Sequence, residues 1–295
     1  MGNDLCIIEK LCKEQFGIDN AKPVAIKRLG GLTNKNYYVR INNQKYVFRL
    51  PGDGTEELIN RREEHICTSL ANDIGIDSEL IYFEDRTGVK ITRYIDKAET
   101  MNTVLVKSPN NMRDVANLFK KLHSCNISVP VIFNVFEKIK EYEVLLRKCE
   151  KNIFWEDYEI IKDHVLALKG KVDSMSVEIT MCHNDPLCEN FVRGGEKMYL
   201  VDWEYAGMND PMWDLADLFI EAEFSIDEEE MFNKLYFGEV PNKEIKERIL
   251  INKVFLDFLW SLWGLQRYSC GADLLEYANE RYVRAKKNLG LLNLV

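Results

Sequence analysis

The stretch HNDPLCEN, residues 183–190, puts His183 two residues before Asp185 and Asn190 five residues after it, and twelve residues beyond Asn190 the run YLVDWEYA carries Asp202 and Glu204. A carboxylate and an amide oxygen on one loop, with a second carboxylate closing an apolar strand, suit phosphoryl transfer from a metal-bound nucleotide. That reaction needs a hydroxyl nucleophile held in line, an acceptor for its proton, and neutralisation of the charge spreading over the moving phosphoryl group. Asp185 would face the hydroxyl. Asn190, past the turn set by Pro186, would turn its amide oxygen to a metal that Asp202 also binds, because a hard cation such as Mg²⁺ takes oxygen ligands. His183 would hold the loop by hydrogen bonds. A lone His-x-Asp is an ordinary structural pair; the full set, followed by a strand ending in Asp, is much more specific.

The elements that must position these residues follow from hydropathy period. Residues 4–16 read as a short amphipathic helix. AIKRL, NYYVRI and KYVFRL then alternate apolar with polar and are rich in aromatic and β-branched residues, so they read as strands, with Asn42-Asn43 suited to a tight hairpin. Residues 56–72 place Leu58, Ile59, Ile66, Cys67 and Leu70 on one helical face, and LIYF and GVKITRYI add two strands. After Ile95 the pattern turns helical: 111–124, one or two helices over 135–168, a β interlude over about 179–203 with Gly194-Gly195 at a hairpin tip, then helices to about Leu289. Ser225 and Glu228 form a capping box, so the acidic DEEE run opens a helix and carries no chemistry. The expected fold is α+β and two-lobed: residues 1–96 form a small antiparallel sheet with one helix, and residues 97–295 a larger, mainly helical lobe.

Composition narrows the partners. The 295 residues are 46% hydrophobic and 29% charged, with a net charge of −9 that argues against nucleic acid. The longest apolar run, VFLDFLWSLWGL, is interrupted by Asp257 and Ser261, so no membrane insertion is expected. MGNDLCIIEK lacks the pattern of a secretory leader, and Cys6 stands where a myristoylation motif needs Ser or Thr. Eight scattered cysteines without a CxxC pair suit a reducing cytoplasm, and neither they nor the four histidines show zinc-ligand spacing.

HNDPLCEN with LVDWEYA resembles the catalytic core of the choline/ethanolamine kinase family, within the aminoglycoside-phosphotransferase and protein-kinase-like superfamily, and is most similar to the bacterial LicA-type choline kinases. The resemblance runs from about Ile26 to Gly290. It implies a kinase-like fold with ATP between the lobes, Asp185 as the catalytic Asp, Asn190 and Asp202 as magnesium ligands, and Glu204 as the acid supporting the metal. LGGLTNKNYYV resembles the phosphate-covering hairpin of that family: Gly30 and Gly31 would let the backbone approach phosphate, and Thr33 and Asn34 would offer donors. Arg49 in YVFRLPG stands where the fold keeps a cation on its third strand, and a Glu on the next helix would pair with it, Glu64 by spacing or its neighbour Glu63. KITRYID would be the hinge, with the backbone of Arg93, Tyr94 and Ile95 against adenine.

The acceptor is signalled by FLWSLWGLQRY. Trp260 and Trp263 share a helix face, which is ordinary core packing in most proteins, but they stand where choline kinases keep a WxxW. A quaternary ammonium has no N–H to donate and is held by aromatic faces and negative charge. Tyr205, Trp213, Tyr268 and Tyr282 are further candidates for that box, with Asp185 meeting the hydroxyl. Asp214 and Asp217 in MWDLADL match the family's loop-bracing acids, and His123 a structural LH position. The expected reaction is transfer of the γ-phosphate of ATP to choline. Ethanolamine or an aminoglycoside is the alternative acceptor. A nucleotide-binding pseudokinase would be expected to have lost Asp185, Asn190 or Asp202, and a metallohydrolase leaves Arg49 and the glycine pair unexplained.

Overall fold

A computed structural model of the chain describes residues 2–17, 25–30, 34–52, 59–149 and 153–293. Two compact units result: residues 1–102 with 189–206, and residues 103–188 with 207–295.

In the first unit, α1 (Gly2–Phe16) precedes a five-stranded antiparallel sheet of order β1-β2-β3-β5-β4, formed by Ala25–Gly30, Lys35–Ile41, Gln44–Leu50, Lys90–Arg93 (β5) and Leu80–Phe83 (β4). Alternation puts Tyr37, Val39 and Ile41 of β2 and Tyr46 and Phe48 of β3 on a buried face, where Ile8, Leu11 and Cys12 of α1 pack. Asn42 and Asn43 both take positive φ, 48° and 64°, the geometry of a two-residue turn whose twist matches the strands it joins. The helix α2 (Arg61–Asp73) is N-capped by Asn60, whose side chain accepts from the backbone of Arg62 and Glu63. It begins later than the hydrophobic pattern suggested, and residues 53–58 lie outside the described set.

The chain after Ile95 is not wholly helical. Ala98–Thr100 (β6) pairs with Phe191–Gly194 (β8), which pairs in turn with Lys197–Leu200 (β9). This small sheet explains why 189–206 joins the first unit, where the sequence had assigned it to the second. The Met101 N–H also donates to Phe191 O, and the Leu200 N–H to Ile76 O. Alternation over so few residues signals a strand but not its partner. Gly194 is required at the crossing, since a Cβ there would run into Cγ2 of Ile95.

The second unit contains α3 (Pro109–His123), α4 (Val135–Lys148), α5 (Tyr158–Asp173), the short pair β7 (Thr180–Cys182) and β10 (Gly207–Asn209), α6 (Met212–Glu221), α7 (Ile226–Phe237), α8 (Lys243–Ser269) and α9 (Leu275–Leu291). The Ser225–Glu228 capping box opens α7 as expected. The long helix α8 is the spine: Ile251, Val254, Leu256, Phe258 and Leu262 are fully buried along it. Gly264 lets α9 approach, since a Cβ there would lie 2.8 Å from the Tyr277 ring. Among the described residues, no helix is long and apolar enough to cross a membrane.

Asp77 of the first unit is buried, with its carboxylate accepting from Ser78 N at 2.6 Å. Burial pushes its pKa up to about 6 despite the attraction of Lys90. The folded chain therefore takes up this proton at higher pH than the unfolded chain does. Ionised Asp77 costs stability above pH 6, and the cost fades as pH falls towards the ordinary value of 3.8. Asp77→Asn keeps the acceptor and removes the charge. It should raise unfolding free energy by about 2–3 kcal/mol at pH 7.5 and by roughly half that at pH 5, measured by urea denaturation at both values.

Candidate active site

Arg49 of β3 is 3% exposed, and its Nη1 pairs with Glu64 of α2, which is 1% exposed. Glu64 is the partner because it shares the buried helix face of Cys67, Thr68 and Ala71, whereas Glu63 is exposed. Arg49 Nη2 donates to Gly88 O at 2.8 Å, and its Nη1 lies 3.3 Å from Asp202 Oδ1. Arg61 Nη1 donates to Glu64 Oε2 at 2.8 Å, and Lys90 Nζ lies 3.6 Å from Glu64 Oε1. Burial would raise the Glu64 pKa, but Arg49, Lys90 and Arg61 outweigh it and hold it down to about 2. Arg49 is thereby fixed as a rigid cation beside Asp202.

The β8–β9 hairpin delivers the oxygen donors. Phe191 pairs with Leu200, and the Val201 N–H donates to Asn190 O at 2.9 Å, so Asn190 and Asp202 stand at the hairpin's open end. Asp202 takes φ of +72°, a conformation costly for a residue with a side chain and characteristic of functional positions. Its side chain stays 34% exposed. Glu204, 7% exposed, accepts from Asn34 Nδ2 at 3.0 Å and lies 3.4 Å from Arg61 Nη1. Burial, then repulsion from Asp202, push the Glu204 pKa up to about 7. Crowded carboxylates that resist ionising together are a fitting seat for a divalent cation, which removes that repulsion.

In the second unit the start of the HNDPLCEN loop, His183 and Asn184, hangs on Asp214 of α6. Its Oδ2 accepts from His183 N at 2.8 Å and its Oδ1 from Asn184 N at 2.8 Å. His123 Nε2 lies 3.0 Å from Asp214 Oδ2, and Tyr236 OH meets His123 Nδ1 at 2.8 Å. Trp213 Nε1 donates to Asn184 O at 3.0 Å, and Asn209 Nδ2 to Asn184 Oδ1 at 2.9 Å. Asn184 takes φ of +66°, which this clamp imposes and which an Asn tolerates. Asp185 follows at once, half-buried, with the Leu187 N–H on its carbonyl.

Beside this loop lies an aromatic and acidic set. The rings of Trp260 and Trp263 meet edge to face at 6.2 Å, and Trp263 meets Tyr277 at 5.8 Å. Arg281 lies over Tyr277 at 4.9 Å and pairs with Glu221 and Asp257. Burial raises the Tyr277 phenol, and Glu221, Asp185 and Asp217 act on it in the same direction against Arg281. Asp217 is fully buried, and neither of its carboxylate oxygens has a hydrogen-bond partner among the described residues. Burial, then Glu221 and Asp185, raise its pKa well above the usual range.

Several sequence candidates fall elsewhere. Trp213 is 1% exposed and packed against Phe133, so it braces the loop and presents no face to a ligand. Tyr268 packs, with Phe154, Trp155 and Leu275, against the cluster of Leu146, Leu265 and Ala278. Tyr282 stacks on Trp155 at 4.0 Å and donates to Asp157, so it too is core. Asp217 does not brace the loop as its neighbour Asp214 does. Tyr205 is half-buried and belongs to the first unit, next to Glu204. Gly30 ends β1 with φ of +129°, which glycine alone adopts easily; Gly31 and Thr33 lie outside the described residues. The N–H groups of Arg93 and Tyr94 are committed to Glu79 O and Lys45 O, and Ile95 is half-buried after them. Sequence reasoning missed Arg61, Asn184, Glu221, Tyr277 and Arg281. Tyr277 and Arg281 have an i,i+4 spacing that could have linked them; nothing local marks Asn184.

A small antiparallel sheet carrying a buried strand-to-helix Arg–Glu pair, with a second, mainly helical unit, is the architecture of kinase-like phosphotransferases. A family model described as choline/ethanolamine kinase matches residues 26–253. The chain belongs to the choline/ethanolamine kinase family. The crystal structure of choline kinase LicA from Streptococcus pneumoniae is 35% identical, with a TM-score of 0.82 over 96% of this chain and 99% of that one. A structure of LicA in complex with AMP is 34% identical, with a TM-score of 0.83 over 97% of each chain. Protein LicA of Haemophilus influenzae is 27% identical over 94% of this chain and 83% of its own length. An ADP-bound aminoglycoside phosphotransferase, 18% identical, shares the fold, with a TM-score of 0.67 over 97% of each chain.

Because the pair with Arg49 keeps Glu64 ionised, its contribution to stability is present above the ordinary carboxyl pKa of 4.5 and is lost as pH falls towards 2. Glu64→Gln leaves Arg49 buried with a neutral partner. It should destabilise the chain by about 2–4 kcal/mol at pH 7.5, with the difference from wild type shrinking below pH 4.5, as followed by urea melts.

Proposed function

We propose that the protein transfers the γ-phosphoryl group of ATP to the hydroxyl of choline, giving phosphocholine and ADP. Membership of the family carries the phosphotransferase chemistry and a small alcohol as acceptor. The observation that carries the acceptor class is the Tyr277 ring, which touches Trp263 and lies in the electrostatic field of Asp185, Asp217 and Glu221. Aromatic faces and carboxyls thus meet beside the residue assigned to the hydroxyl. A trimethylammonium group brings positive charge but no N–H donor, and it gains from ring faces and from anions without needing hydrogen bonds.

In this reading Asp185 orients the choline hydroxyl and takes its proton as oxygen bonds to the γ-phosphorus, while the bond from phosphorus to the bridging oxygen breaks and ADP leaves. Arg49, held by Glu64, faces the phosphates with a fixed guanidinium fork. Gly30 would let the backbone approach them, and the hinge at 93–95 would offer adenine its carbonyls and Ile95. Asn190 and Asp202 would hold Mg²⁺, with Glu204 behind them; the ion would neutralise phosphate charge. All eight cysteines are free thiols, which fits action in the reducing cytoplasm.

Ethanolamine is the second reading. The two oxygens of Asp217 that accept no hydrogen bond among the described residues could take N–H donors from a primary ammonium. ADP release with ATP and choline, ethanolamine or kanamycin in parallel separates these readings. Choline should give the highest kcat/KM; a higher value for ethanolamine or kanamycin transfers the assignment to that acceptor. Asp185→Asn should lower kcat by at least a hundredfold while leaving nucleotide affinity within about twofold, measured by ADP release and by calorimetric titration. Lost nucleotide binding would remove Asp185 from the base role. Trp263→Ala should raise the choline KM roughly 3- to 30-fold with little change in that for ATP. An unchanged choline KM would leave Trp263 as packing.

A further inference from the structure

Two thiols that the proposed reaction does not use face each other. Cys149 caps the C-terminus of α4 and Cys270 that of α8, 121 residues apart in sequence. Their sulfurs are 3.8 Å apart. The separation exceeds a disulfide bond by about 1.8 Å. Cys270 is exposed and Cys149 half-buried, so a small oxidant reaches the first and the second lies behind it. Gln266 Nε2 donates to Cys270 Sγ at 3.3 Å. Cys149 has its pKa raised by burial and by the adjacent Cys270, which keeps it as the thiol that attacks second. Beneath the pair, Leu146, Leu265 and Ala278 pack α4, α8 and α9 together, so the two helix ends are held in register.

We propose that Cys149 and Cys270 form an oxidation site, closing to an intramolecular disulfide when the folded protein meets hydrogen peroxide. The Cys270 thiolate attacks one peroxide oxygen, the O–O bond breaks, and Cys270 becomes a sulfenic acid with release of one water after proton uptake. The Cys149 sulfur then attacks the Cys270 sulfur and displaces hydroxide, which takes the thiol proton and leaves as a second water. Two thiols lose two electrons, and one peroxide gains them. The bond ties the end of α8 to the end of α4 across a loop long enough to constrain the unfolded chain strongly.

The test uses the full-length protein treated with hydrogen peroxide, alkylated, digested without reductant and analysed by mass spectrometry. The expected product is one cross-linked peptide pair containing Cys149 and Cys270, two hydrogen atoms lighter than its separate parts. Titratable thiols should fall from eight to six and return with dithiothreitol. The melting temperature should rise by several degrees in the oxidised wild type, and in neither Cys149→Ser nor Cys270→Ser. Dimedone should trap sulfenic acid at Cys270 in the Cys149→Ser variant. Any of three results overturns the proposal: a disulfide joining another pair, a Cys270-linked dimer on a non-reducing gel, or Cys270 passing to sulfinic acid in the wild type with Cys149 still alkylated.

Discussion

The site is governed by one constraint: carboxylates taken out of water must find positive charge or donors, or give up their own charge. Glu64 finds Arg49, Lys90 and Arg61 and stays ionised at almost full burial. Asp214 finds two backbone N–H groups and a histidine. Glu204 and Asp217 find too little, and both are driven towards the protonated form. The first two are finished by the protein itself and give rigidity. The other two are left incomplete, and they lie beside the residues assigned to metal and acceptor. A cation beside such carboxylates offsets the repulsion that keeps them from ionising together.

Rigidity and chemistry are kept on separate residues. Three groups converge on Asp214, and through His183 and Asn184 it sets where Asp185 begins. Arg49 is similarly fixed from behind, by Glu64 and the Gly88 carbonyl, so that one face of its guanidinium remains beside Asp202. The backbone strain at Asp202 and Asn184 falls at these two places, next to donor-rich surroundings that over-determine it. Such pre-positioning lowers the reorganisation required when substrate arrives.

The aromatic residues divide along the same line. Trp213 and Tyr282 each use their polar atom inside the protein, on Asn184 O and Asp157, and their rings serve the core. Trp263 is half-buried and makes edge-to-face contacts with Trp260 and Tyr277. Of the six candidate rings, Trp213 and Tyr282 are buried with their polar atoms committed inside the protein, while Tyr205, Trp263 and Tyr268 are half-buried.

Local pattern determined a great deal. The strand alternation, the Asn-Asn turn, the capping box at Ser225 and the spacing of Asp185, Asn190 and Asp202 were legible because each rests on neighbours a few residues apart, where periodicity and turn chemistry act. The family resemblance carried the roles. Tertiary structure decided what depends on distant partners: Glu64 over Glu63, the membership of Glu189–Ala206 in the first unit, the demotion of Trp213 and Tyr268, and the arrival of Tyr277 beside Trp263. None of these could be read in the chain, because hydrogen bonding and burial are set by what packs opposite a residue, and that partner is separated from it by tens to hundreds of positions.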